Sequence, residues 1–167
     1  NGSLTGAPNM DTVAGFNKDD YPLHSVSLQE WEGFIFINLS EEPEEFSKAF
    51  LPVLSRFSPW NPASLKSFNK ISYSVNCNWK LILQNYSECY HCPILHPQLS
   101  EITPYTSGKN DLVTGPVLGG YMELKSSSIS ETGELCGPVL PGLSRKNQSR
   151  VYYYSIFPNM LISLHPD

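Results

Sequence analysis

The chain has no basic run, no long apolar run and few charges of either sign. Lys and Arg total 11 of 167 residues, against 16 Asp and Glu, for a net charge of −5. A nucleic-acid surface needs clustered Lys and Arg, so nucleic acid is excluded as a partner. Charged residues make up 16%, below the roughly 25% usual for soluble domains. No stretch approaches the roughly 20 apolar residues that span a bilayer, so a membrane is excluded too. The first residues, "NGSLTGAPNM", have neither the basic start nor the apolar core of an export signal. Cysteine is sparse: Cys77, Cys89, Cys92 and Cys136. With no export signal, the expected compartment is the reducing cytoplasm and the expected state is four free thiols.

What is present is a foldable chain. Hydrophobic residues make up 40% and aromatics 12%, enough for one domain with a core. Residues 1–22 are rich in Gly, Asn, Asp and Pro and read as an extended lead-in. "SVSLQEWEGFIFINLS" (25–40) reads as a hairpin turning at Glu32-Gly33. "EEPEEFSKAFLPVLSRFS" (41–58) has Phe46, Ala49, Phe50, Val53, Leu54 and Phe57 at helical spacing, with Pro52 set to kink or split the helix.

"KSFNKISYSVNCN" (66–78) alternates as a strand, with Ile71, Tyr73, Val75 and Cys77 on one face. "WKLILQNYSECYH" (79–91) switches to a period near 3.6, with Asn78 as its N-cap. Pro93 should end that helix around His91. Residues 97–118 read as a loop. "GYMELKSSSIS" (120–130) reads as a strand, and 131–149 as a mobile Gly- and Pro-rich loop. "RVYYYSIFP" and "NMLISLHP" (150–166) read as a strand pair turning at Pro158-Asn159. Mostly antiparallel strands with a segregated helix predict an α+β fold, one curved sheet wrapping a helix.

The chemistry concentrates in "ECYHCPILHP" (88–97). His91 and His96 are five apart, and Pro93 turns the chain between them, so both imidazoles could converge on one point. Neutral imidazole suits iron, zinc, copper or nickel. Two histidines and one carboxylate make the facial triad of non-haem Fe(II) oxygenases. Glu88 lies one helical turn before His91 and can fix its tautomer. For an arbitrary E-x2-H-x4-H string, chance packing is the commoner explanation, and the carboxylate and His pair alone are weakly specific. A zinc site using Cys89, Cys92 and His96 is a further reading, although no second C-x2-C or H-x3-H pair supports it.

"NWKLILQNYSECYHCPILHP" (78–97) resembles the mononuclear-iron segment of the catalytic α subunits of Rieske non-haem iron, ring-hydroxylating-type oxygenases. Asn78-Trp79-Lys80, Glu88, His91 and His96 match its pattern. "GAPNMD" (6–11), "DYPLHSV" (20–26) and "WEGFIFINL" (31–39) resemble the stretch joining that family's Rieske domain to its catalytic domain.

The resemblance implies a helix-grip (Bet v1-like or START-like) α+β domain. It implies that residues 1–22 follow a Rieske domain and that 23–167 form part of the catalytic domain. It implies mononuclear Fe(II) on His91 and His96, with the third carboxylate ligand beyond the chain end, since neither Asp111 nor Asp167 matches it. Glu88 would be the bridge bringing electrons from a Rieske [2Fe–2S] cluster on a neighbouring subunit. Asn85, Tyr90 and Leu95 would support the site or line its pocket. The intact protein would be a homotrimer served by a reductase or ferredoxin. It would use O2 and NAD(P)H-derived electrons to hydroxylate or demethylate a small organic substrate. The chain alone, without its cluster domain, would not turn over. The rival classes are a non-catalytic helix-grip module binding a small hydrophobic ligand and the zinc domain above.

Overall fold

The computed structural model describes all of residues 1–167. The chain divides into two compact units, Asn1–Glu44 and Glu45–Asp167.

In the first unit, β1 (Ser27–Trp31) pairs antiparallel with β2 (Phe34–Asn38). The turn is Glu32-Gly33, both with positive φ, 51° and 81°. That geometry matches the right-handed twist of the strands, and the expected hairpin is present.

The second unit is built on an antiparallel meander. Its strands are β3 (Lys109–Leu112), β4 (Val117–Glu123), β5 (Arg150–Ile156) and β6 (Met160–Leu164), in that spatial order. Successive strand residues point to opposite faces, and β5 shows what each face does. Tyr152 and Tyr154 meet the segment that follows α1 (Phe46–Ala49): Trp60 is edge-on to Tyr152 at 5.3 Å, and Phe57 lies 5.4 Å from Tyr154. Phe50, Val53, Phe57 and Trp60 are all buried there. Arg56 crosses to Asp111 at 2.5 Å and to the Tyr154 hydroxyl at 2.7 Å. On the opposite face, Tyr153 and Ser155 meet α2 (Trp79–Tyr86) and the residue after it. Tyr86 is edge-on to Tyr153 at 6.0 Å, and the Ser87 and Ser155 hydroxyls are 3.0 Å apart. The α+β fold, with a helix laid on an antiparallel sheet, is as expected.

Four local expectations need correction. Residues 66–77 form no strand: Ile71, Tyr73 and Val75 are exposed, because alternation gives strand propensity but no neighbouring strand offers a ladder. The 41–58 helix is a single turn, α1, followed by isolated turns across Pro52, although its apolar set still buries. The 79–91 helix stops at Tyr86. Part of the 97–118 loop is regular: α4 (Pro97–Ile102) and β3 lie within it.

Candidate functional site

The site begins where α2 ends. Asn78 caps that helix as expected, its Oδ1 accepting from the Lys80 N–H at 3.0 Å. The Ser87 N–H closes the last turn on Leu83 and Gln84. The chain then loops through Glu88, Cys89 and Tyr90 into a second short helix, α3 (Cys92–Leu95). Pro93 was expected to stop a helix at this point. It instead sits in the first turn of α3, where a missing N–H costs nothing.

His91 is the N-cap of α3, and His96 is both its C-cap and the N-cap of α4. Pro97 opens α4 in the same way that Pro93 opens α3. The two histidines thus bracket a single helical turn. Their ring centroids are 5.4 Å apart and their planes meet at 80°.

Glu88 engages both carboxylate oxygens. Oε1 is 2.6 Å from His91 Nδ1, and Oε2 accepts from the Tyr90 N–H at 2.5 Å. The His91 contact, followed by the Tyr90 N–H, holds the Glu88 carboxyl below the usual carboxylate range. An ionised carboxylate can only accept, so Nδ1 is the donor, and in the neutral ring Nε2 then keeps its lone pair. A free lone pair on neutral imidazole is what a metal requires.

Both histidines, Glu88 and Asn85 line a cavity of about 890 Å³. Tyr90 is on its rim with an almost fully exposed side chain. Leu95 is exposed and does not reach the cavity. The far wall is the sheet face that carries Tyr153 and Ser155, with Leu118, Gly120, Met122 and Asn110 beside them. Those wall residues were missed in the sequence. The alternation of "RVYYYSIF" puts Tyr153 opposite its neighbours, and Gly119-Gly120 inside a strand marks a close approach; both signals were available.

His91 and His96 fit a metal as two nitrogen donors. No group of three or more His, Cys, Asp or Glu side chains is arranged so that it could hold a metal ion. The cysteine expectation is overturned: Cys89 and Cys92 form a disulfide, while Cys77 and Cys136 are free. Two cysteines three residues apart across a loop come within bonding reach, with Cα atoms 5.0 Å apart.

Residues 62–167 match the family model described as "Ring hydroxylating alpha subunit (catalytic domain)". The chain is 33% identical over 102 residues to the carnitine monooxygenase oxygenase subunit of Escherichia coli K12, covering 60% of this chain. It is 33% identical over 87 residues, 52% of this chain, to the glycine betaine monooxygenase oxygenase subunit of Pseudomonas aeruginosa PAO1. The matched stretches span 27% and 20% of those relatives' lengths. Its fold resembles the quaternary ammonium Rieske monooxygenase CntA in complex with L-carnitine. That likeness has a TM-score of 0.62 at 22% identity and covers 99% of this chain and 40% of that one.

Proposed function

The chain belongs to the ring hydroxylating alpha subunit (catalytic domain) family, and from that premise we propose that it serves a Rieske-type oxygenase as the seat of a mononuclear Fe(II) held by His91 and His96. The observation that carries this reading is the 2.6 Å contact of Glu88 with His91 Nδ1, on a cavity that both histidines line. Glu88 fixes the His91 tautomer and aims Nε2 away from itself. A carboxylate bonded to a ligand ring also suits the bridging role, since it links that ring to whatever docks behind it. Iron bound there would supply the activation of O2.

The chain's own residues do the rest. Asn85 precedes Glu88 by one helical turn and Tyr90 directly precedes His91, and Asn85 reaches the cavity. Tyr153 and Met122 form a wall that shields a bound substrate from water. The proposed substrate is a small quaternary ammonium compound. Support comes from the relatives, whose names specify carnitine and glycine betaine. The cavity adds to it, because tyrosines, whose ring faces attract such cations, are among its lining residues, Tyr86, Tyr105 and Tyr153 included.

The same reading places residues 1–22 as the link from a [2Fe–2S] Rieske domain and 23–167 within the catalytic domain. It makes the working assembly a homotrimer fed by a reductase or ferredoxin in the cytoplasm. No helix is long and apolar enough to cross a membrane.

The test is Glu88→Gln in the whole oxygenase subunit, supplied with its reductase and a quaternary ammonium substrate. Metal content should persist while substrate oxidation is lost. Full activity in that variant would remove the bridging role.

A further inference from the structure

Strand β5 carries three consecutive tyrosines, and the protein engages the hydroxyls of two. Tyr152 donates to Asn147 Oδ1 at 3.0 Å, and the Tyr154 hydroxyl accepts from Arg56 at 2.7 Å. Tyr153, between them, lines the cavity, and no group of the protein hydrogen-bonds its hydroxyl. Tyr86, edge-on to its ring at 6.0 Å, gives its own hydroxyl proton to the Ile162 carbonyl at 2.7 Å. Burial pushes the Tyr153 hydroxyl up to about 12, so at neutral pH it keeps its proton and is a donor. A desolvated donor without a partner is uncommon in a folded protein and calls for an explanation. On the wall of a cavity, a ligand supplies one.

The rest of the lining says what that ligand must offer. The Ser87 and Ser155 hydroxyls bond each other at 3.0 Å. Glu88 is already held by His91 and the Tyr90 N–H. Lys109, the one Lys or Arg in the lining, is exposed, so its ammonium stays hydrated. Tyr153 therefore offers the cavity a desolvated donor that only a ligand's oxygen can satisfy, and an ionised oxygen makes the stronger bond. We propose that the Tyr153 hydroxyl determines specificity in this cavity: it donates to the carboxylate of a trimethylammonium acid and so sets zwitterionic substrates above simple quaternary ammonium cations. This inference rests on the quaternary ammonium reading above and names the half of the ligand that tyrosine ring faces do not recognise.

Tyr153→Phe isolates this contact. It removes one oxygen and leaves the ring, its packing on Tyr86 and its cation-attracting face in place. Because the hydroxyl has no partner within the protein, its loss leaves no other group unpaired. Glycine betaine and tetramethylammonium share the cation and differ by one carboxylate. A site that hydrogen-bonds a ligand group discriminates against the analogue lacking it, so the two ligands report the carboxylate contact by difference.

The test uses the full chain, kept metal-free with a chelator so that no metal can hold the carboxylate. Binding of glycine betaine and of tetramethylammonium is titrated by calorimetry for the wild type, Tyr153→Phe and Lys109→Gln. Tyr153→Phe should weaken glycine betaine about 10- to 100-fold, the contribution of a hydrogen bond to a charged group, and leave tetramethylammonium unchanged. Lys109→Gln should change neither. The wild type should bind glycine betaine more tightly than tetramethylammonium. That preference decides the matter if circular dichroism shows Tyr153→Phe unfolded, and its absence would overturn the proposal. Equal weakening of both ligands in a folded Tyr153→Phe would reduce Tyr153 to a packing residue and overturn it as well. An unchanged glycine betaine affinity, or a loss that follows Lys109→Gln instead, would overturn the hydrogen bond alone. Binding of neither ligand by the wild type would overturn the quaternary ammonium reading and this contact with it.

Discussion

Glu88 and His91 are joined through Oε1 and Nδ1 at 2.6 Å, one turn apart along a chain that has already left its helix. The spacing that suggested a shared helical face is met by a loop instead. The Tyr90 N–H holds the second carboxylate oxygen, so Glu88 is fixed from two sides. The contact makes His91 Nδ1 the donor, which in the neutral ring leaves Nε2 free.

Removing that carboxylate should loosen the metal site. Glu88→Ala is expected to lower Co(II) affinity by about 10- to 100-fold, the usual cost of losing a ligand's supporting partner. Glu88→Gln should bind nearly as well as the wild type, because an amide oxygen can still accept from Nδ1. Titration of the three proteins with cobalt, read by absorbance, checks both.

High pH should weaken the fold through two tyrosines. Burial pushes the Tyr153 and Tyr154 hydroxyls up to about 12, while an unfolded tyrosine titrates near 10. The folded chain therefore keeps protons that the unfolded chain has lost. The contribution is intact below about pH 10 and disappears as pH rises toward 12. Of nine tyrosines, these two should ionise last in an ultraviolet titration. The denaturation midpoint should fall over the same range.

Phe57 is 1% exposed and lies against Tyr154. Phe57→Ala should cost about 3–5 kcal/mol, and Phe57→Leu clearly less, since more of the volume stays filled. Urea unfolding curves give both values.

A Cβ added at Gly120 would come within 1.8 Å of the Lys109 carbonyl oxygen, a backbone atom that cannot swing aside. Gly120→Ala should therefore prise β3 from β4 and cost about 1–3 kcal/mol or more. Amide hydrogen exchange should report it as lost protection across 109–112 and 117–123. The paired β5 and β6 should keep theirs.

The parts legible in the sequence were those whose signal is local. Asn78 before an amphipathic run announces its own helix. Glu32-Gly33 between apolar strands announces its own hairpin, and the run from Arg150 to Leu164 contains both strands and their turn. What failed depended on partners elsewhere. Ile71, Tyr73 and Val75 alternate as a strand should, but a strand exists only where another lies beside it. Pro93 was legible as a break, yet a proline is equally suited to a helix's first turn, and only the structure shows that Pro93 and Pro97 both take that role. The C-x2-C pair carried no sign of its oxidation state. The site residues on one segment, Glu88, His91 and His96, were visible because the chain itself brings them together. The wall built by Tyr153, Met122 and Asn110 comes from strands whose register the sequence does not state.

The most direct measurement is anaerobic Fe(II) binding by the full chain, quantified as iron per chain, for the wild type, His91→Ala and His96→Ala. The account predicts one iron per wild-type chain and loss of that iron in each variant, with circular dichroism unchanged. Iron bound equally by all three folded proteins would contradict it.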